Sequence, residues 1–271
     1  MRHLSISRAW EETQKIGVHD GRLVGAVALA LVGFPTLVSG IVAPKGMMDQ
    51  SVPGWVLGVG LIAQLIIVAG QLAIVRLAIG PSTTVGDAVT HGLRRMPVYV
   101  AAAIIICFGA LLLAVPIAAV LLATGAPLDE AALKTSPIFN LLALIYFCVV
   151  IFFAIRLVMM SPVASAEPVG PVKMISRSWD LTRGHWWRLC GFLAIFLVGA
   201  LAVMLAVGAA IGILVNAALG PVEPLSASAA VMALAQGLVT AGVTSVLAIM
   251  LARIYIQLAA PDSVSVPSSG A

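Results

Sequence analysis

The sequence predicts an all-α integral membrane protein: six transmembrane helices arranged as three hairpin repeats, with amphipathic interfacial helices on the cytoplasmic side. Three observations carry that prediction. Six apolar runs are each long enough to cross a bilayer, nearly every basic residue falls on one side of them, and a polar motif recurs before the first and the fifth run. Composition agrees, with 61% hydrophobic and 10% charged residues and a mean hydropathy of +1.12. A soluble domain carries about 25% charged residues.

The predicted spans are Leu23–Ala43, Trp55–Ile79, Val98–Ala123, Ile138–Met160, Phe192–Asn216 and Ala229–Gln257. Each meets or exceeds the ~20 residues that carry a helix across ~30 Å of hydrocarbon. Leu23–Ala43 reads as a retained span rather than a cleaved signal. Its preceding segment holds Glu11, Glu12 and Asp20, and the run exceeds the usual apolar region of about 7–15 residues. Arg2, Arg8, Lys15, Arg22, Arg76, Arg94, Arg95, Arg156, Lys173, Arg177, Arg183, Arg188 and Arg253 lie at the tails or the even-numbered connections, and only Lys45 and Lys134 lie opposite. That bias puts both termini and both basic connections in the cytoplasm. Pro35 and Pro116 are expected to kink their spans. Gly54-x3-Gly58 and Gly208-x3-Gly212 are expected to let helices approach closely.

The outward connections, Ala43–Gly54, Thr124–Pro137 and Ala217–Ser228, are short and rich in turn formers. Spans joined that way should be antiparallel neighbours, so the natural unit is a hairpin. Ile6-Ser7-Arg8-Ala9-Trp10 before the first span matches Ile175-Ser176-Arg177-Ser178-Trp179 before the fifth. The hairpins close alike, on Val75-Arg76-Leu77, Ile155-Arg156-Leu157 and Ala252-Arg253-Ile254. This predicts three parallel repeats, about 5–80, 81–160 and 165–260, in a single membrane domain over 1–260, followed by a disordered tail over 261–271.

Each inward segment shows a helical period. Val85, Ala88, Val89, Gly92 and Met96 share one face, opposite Asp87, Thr90, His91, Arg94 and Arg95. Val172, Ile175, Trp179 and Trp186 oppose Lys173, Arg177, Asp180 and Arg188; Ile6, Ala9, Trp10 and Thr13 oppose Arg8, Glu12 and Lys15. An apolar face, a basic face and tryptophan together describe a helix lying in the headgroup plane. Gly17 and Gly184 are expected to break these helices before the chain enters the bilayer. Two roles stay open: anchors that set depth and tilt, or a platform that binds lipid headgroups or a partner protein.

The string Leu181-Thr182-Arg183-Gly184-His185-Trp186-Trp187-Arg188-Leu189, with Pro162-Val163-Ala164, Glu167 and Ser176-Arg177-Ser178-Trp179 upstream, resembles the bacterial membrane-domain family of glycerophosphoryl diester phosphodiesterase. It is similar also to the YciC-like inner-membrane proteins. The resemblance covers most of the chain and is strongest over about 150–200. It implies a multi-pass protein of the bacterial cytoplasmic (inner) membrane. No His-Arg-Gly string or Glu-x-Asp follows the spans, so what it implies is a membrane module rather than phosphodiesterase activity.

Sites of chemistry are scarce. Cys107, Cys148 and Cys190 form no CxxC pair, so neither a disulfide framework nor a zinc site is expected. His3, His19, His91 and His185 lie in separate inward segments. No metal-binding or nucleophile-elbow spacing occurs, and neither a catalytic site nor a cofactor is expected. Glu167 reads as a loop residue or a partner for Arg156. The formal charge of +4 sits at membrane edges, which points to anionic lipids and not to nucleic acid. Candidate headgroup contacts are Arg76, Arg156, Arg253, Arg177, Arg183, Trp186, Trp187 and Arg188. The first three would bind phosphate jointly if the hairpins packed around an axis. Gln64, Gln71, Gln236 and Thr240 either hydrogen-bond between helices or line a pathway. The expected function is therefore a non-enzymatic lipid-associated or scaffolding module; the alternative is a small-solute or lipid transporter. A membrane-embedded enzyme acting on lipid headgroups would need a clustered acid–His pair, and finding His185, Asp180 and Glu167 far apart would remove it.

Overall fold

The computed structural model describes residues 5–43, 53–80, 84–123 and 136–259. The tail 261–271 lies outside the described residues. Among those described there is helix and no strand. The elements are α1 (Ile6–His19), α2 (Gly21–Val42), α3 (Gly54–Ile79), α4 (Val85–Ala123), α5 (Pro137–Leu157), α6 (Met160–Ala166), α7 (Pro171–Thr182), α8 (Trp186–Leu219) and α9 (Ala227–Ala259). Six spans are long and apolar enough to cross a membrane: α2, α3, α4, α5 continued by α6, α8 and α9.

Three of them form the centre. In its most apolar stretch α3 is 44% buried and α2 and α9 are 33% buried, against 6% for α4, for α5 with α6, and for α8. Packing does not simply follow the hairpins. The closest neighbours are α3 with α4 and α9 with α2, both across the predicted repeat boundaries, while α4 and α5 of the middle hairpin touch little. The cause is the placement of small residues. Gly92 on α4 seats against Ala69 and Ala73 of α3; a Cβ there would stand 2.5 Å from the Ala69 carbonyl oxygen. Gly33 on α2 crosses Gly237 on α9, where a Cβ would meet the Gly33 carbonyl oxygen at 2.7 Å. Gly70 lies equally close to Leu31. The middle hairpin instead presents Ile104, Leu111, Leu141 and Leu144, all exposed.

These are not the glycines expected to pack. A methyl at Gly54, Gly58 or Gly208 would meet nothing within 4 Å, and at Gly212 it would reach the Met232 Cε at 3.9 Å. Glycines four apart mark one face of a helix but do not say whether that face meets a helix or lipid. Pro35 does perturb its span: a π-helical turn over Leu29–Gly33 precedes it, and Thr36 Oγ1 donates to the Val32 carbonyl at 2.7 Å. Helix α4 continues through Pro97 and Pro116.

The amphipathic segments differ from one another. Ser5 caps α1, its hydroxyl accepting from Arg8 N at 3.3 Å. The helix runs through Gly17 to His19, because glycine lowers helix propensity by only about 1 kcal/mol. Gly184 does end α7, at φ +85. The second segment is not a separate interfacial helix. It is the first part of α4, whose 39 residues reach about 58 Å at 1.5 Å each, well past the hydrocarbon. Its Ala88–Gly92 face is spent on α3.

Helix contact in lipid rests on such close approaches. Gly237→Ala is expected to lower stability by about 1–3 kcal/mol, read as a fall in the unfolding midpoint in detergent. Gly208→Ala, which meets no neighbour, should leave the midpoint unchanged or raise it by up to the ~1 kcal/mol of helix propensity.

Candidate functional site

The basic ends of the spans gather α1, α6 and α7 around them. The chain breaks at Val158–Met159 between α5 and α6, which takes the Arg156 carbonyl out of the helical ladder. Ser178 Oγ on α7 donates to that oxygen at 2.9 Å, and Thr182 Oγ1 of the same helix reaches it at 3.2 Å while sharing its one proton with the Ser178 and Trp179 carbonyls at 3.0 and 3.1 Å. A freed carbonyl beside hydrocarbon needs such donors. This explains why α7 buries Met174, Ser178, Leu181 and Thr182 rather than the expected Val172 face, with Val172 68% exposed.

Above this junction the Arg156 guanidinium lies over two rings, 5.0 Å from the centroid of Trp179 and 5.4 Å from that of Phe152. Its Nε and Nη1 are buried with no hydrogen-bond partner among the described residues, so the ring faces are the contacts that hold the cation. Phe153 and Trp186 complete the aromatic cluster. Arg76 is held differently, with Nη1 donating to the Ser165 carbonyl of α6 at 3.4 Å. Arg253 Nη1 lies 3.9 Å from Glu12 Oε2 of α1, and Glu12 also pairs with Arg8 at 3.0 Å. The three arginines expected to act jointly thus meet three kinds of partner: a carbonyl, aromatic rings and a carboxylate.

Glu167 does not take Arg156. Its Oε1 accepts from Arg177 Nε at 3.0 Å and from the Tyr255 hydroxyl at 2.8 Å, which ties α7 to α9. Sequence reasoning missed Tyr255, Ser178 and Thr182. The available signal was the Tyr255 hydroxyl between Ile254 and Ile256, and the i, i+4 spacing of Ser178 and Thr182 on one helix face, since a hydroxyl when buried requires a partner. Beside the Glu167 tie, Arg177, Asp180, Arg183 and His185 line a recess of about 270 Å³. Asp180 and His185 therefore share one recess, while Glu167 is turned onto Arg177 and Tyr255. Trp187, 80% exposed, and Arg188 follow at the start of α8, with the Trp186 and Trp187 rings 4.6 Å apart. Among the described residues, no three His, Cys, Asp or Glu side chains are grouped to hold a metal.

Residues 22–258 match a domain of unknown function (DUF7847). The chain belongs to that family. No curated protein and no solved structure matches it.

In this DUF7847 protein the mid-span polar residues are divided. Gln64 is exposed on α3 and faces Thr36 and Ser39 of α2 across a groove of about 570 Å³. Gln236 and Thr240 line a narrow cleft between α8 and α9. Gln71 is partly buried near the basic end of α3. The four do not share either cleft.

The Arg156 carbonyl supplies a stability test. Ser178→Ala with Thr182→Val strips it of both donors and should cost about 1–3 kcal/mol, seen as a lower unfolding midpoint in detergent. Each single variant leaves one donor and should lose less than half of that amount.

Proposed function

We propose that this chain is a non-enzymatic, lipid-associated or scaffolding module of the bacterial inner membrane, with both termini and the basic end in the cytoplasm. In this reading the basic end binds anionic lipid headgroups. One observation carries it: a recess lined by Arg177, Asp180, Arg183 and His185, two basic groups against one acidic, is followed directly along the chain by the exposed Trp187 and Arg188. Basic pockets between helices at this level suit phosphorylated headgroups, and tryptophan favours the same depth. Asp180 also lines the recess and offsets part of the charge of Arg177 and Arg183, while Glu167 beside it is engaged by Arg177 and Tyr255. The likeness of residues 150–200 to the phosphodiesterase membrane domain and the YciC-like proteins is part of the proposal, as a membrane module without the hydrolytic chemistry.

The alternative is passage of a solute or lipid along Gln64, Gln71, Gln236 and Thr240. Their division between separate clefts favours the lipid-associated reading.

Protein reconstituted in nanodiscs of mixed phosphatidylglycerol and phosphatidylcholine should retain the anionic lipid preferentially on extraction into detergent. Arg177→Gln with Arg183→Gln should reduce that preference about fivefold per arginine, at ~1 kcal/mol each. Equal retention of the two lipids by the unaltered protein would refute the reading.

A further inference from the structure

Helices α8 and α9 are joined by a short connection yet are not parallel neighbours along their whole length. Toward the connection they close on each other, and the cleft between Met204 and Gly208 on one side and Met232 and Gln236 on the other holds about 20 Å³. Toward the basic end they part. The wedge between them measures about 930 Å³, the upper part of the ~300–1,000 Å³ usual for ligand sites. Its walls are apolar and its floor is glycine: a methyl on Gly191, Gly199 or Gly242 would meet nothing within 4 Å. The mouth is different in kind. Trp187 and Arg188 of α8 stand on one side, and Ile6 and Trp10 of α1 close the other.

The length of the wedge selects its occupant. From Trp187 to Val203 it runs about 24 Å at 1.5 Å per residue, against about 20–22 Å for half of a ~40–45 Å bilayer counted with its headgroups, so with Trp187 among the headgroups its deep end lies near the midplane. A partner helix seated in the wedge would have to leave it beyond Val203, where α8 and α9 close on each other. A molecule confined to one leaflet fits, with apolar chains below and a headgroup at the mouth. The charge at that mouth is the Arg188 guanidinium, which complements a phosphate.

We infer that the α8–α9 wedge is a binding site for one anionic phospholipid of the basic-side leaflet, its acyl chains lying over Gly199 and Gly242 and its phosphate at Arg188. The inference rests on the lipid-associated reading above but names a different place from the Arg177–Arg183 recess. Helix α1 completes the site, because Trp10 covers the mouth and α1 is fastened to α9 through Arg253 and Glu12 and through Ser5 N donating to Gln257 Oε1 at 3.0 Å.

The test uses the full chain in nanodiscs with phosphatidylglycerol or phosphatidylcholine bearing a photoreactive acyl chain, with labelled residues mapped by mass spectrometry. Label from the phosphatidylglycerol probe should concentrate on wedge residues such as Phe196 and Val243, above exposed Leu141 and Leu144 of α5. Gly199→Phe and, independently, Gly242→Phe fill the wedge and should bring its label down to the α5 level. Gly109→Phe, at an equally open site on α4, should not. Arg188→Gln should keep the wedge labelled while reducing the preference for phosphatidylglycerol about fivefold. Label spread evenly over the apolar surface, or persisting in both filled variants, overturns the site. Equal wedge labelling by the two probes in the unaltered protein overturns the anionic headgroup. Failure of the broader reading shows elsewhere, as a bulk lipid preference that is absent and unmoved by Arg177→Gln and Arg183→Gln.

Discussion

Hydrocarbon removes the force that holds soluble helices together. An apolar side chain gains nothing by leaving lipid for a neighbouring helix, so association depends on close backbone approach and on polar groups that find partners. Both devices are present here and they are separated in space. Through the middle of the bundle, contact is made by Gly33 against Gly237, Gly70 against Leu31, and Gly92 against Ala69. At the basic end it is made by hydrogen bonds and ion pairs. Helix α3 stands where the two meet: Ala69 and Gly70 serve α4 and α2, and one turn further its Leu72 carbonyl accepts the Ser165 hydroxyl of α6 at 3.1 Å.

The amphipathic helices gain their positions from the same constraint. Helix α7 is tethered because the break after α5 leaves the Arg156 carbonyl in need of donors, and Ser178 and Thr182 supply them. Helix α1, which shares the Ile-Ser-Arg-x-Trp string, sits against the end of α9 near Arg253 and buries Ala9 and Thr13. Those two residues hold the motif positions that Ser178 and Thr182 hold in α7. Thr13 Oγ1 donates to the Ala9 carbonyl at 2.7 Å as Thr182 Oγ1 does to that of Ser178 at 3.0 Å; the difference is Ala9, which stands where α7 has the Ser178 hydroxyl that makes the shorter bond to Arg156. Helix α1 is held through Glu12 and Arg253 and, at its N-cap, by Ser5 N donating to Gln257 Oε1 at 3.0 Å. The same string thus gives one helix whose motif hydroxyls reach a neighbouring span and another whose motif hydroxyl does not.

The helical class and the six spans were legible in the sequence because they depend on the length and polarity of local runs. The aromatic setting of Arg156 was half legible, since Trp179 and Trp186 were marked as one face but Phe152 on another element was not. The partners of Glu167 and Arg76 were hidden. They depend on which elements meet, and Tyr255 is 88 residues from Glu167. The glycine misassignment has the same origin. Gly208 and Gly212 carry the spacing of a packing motif, but Gly33 and Gly237, which do pack, have no glycine four residues away on either side. Pairing is a property of two helices, and a pattern within one cannot report it.

Where the polar groups end up also bears on what the fold can do. A pathway through the bilayer would bring Gln64 and Gln236 to one cavity and keep α8 and α9 closed around it. Instead Gln64 faces α2, Gln236 faces α8, and the crossing of Gly33 with Gly237 puts backbone against backbone beside Gln236. Such a contact leaves no room for water between α2 and α9 there. A wider space, about 930 Å³, lies between α8 and α9, opens at the basic end and is apolar below its mouth. A cavity of that polarity admits chains rather than ions, and one that stops near the midplane serves a single leaflet. The architecture therefore concentrates its open space toward one end of the bundle, where the aromatic and basic side chains of α1, α7 and α8 lie.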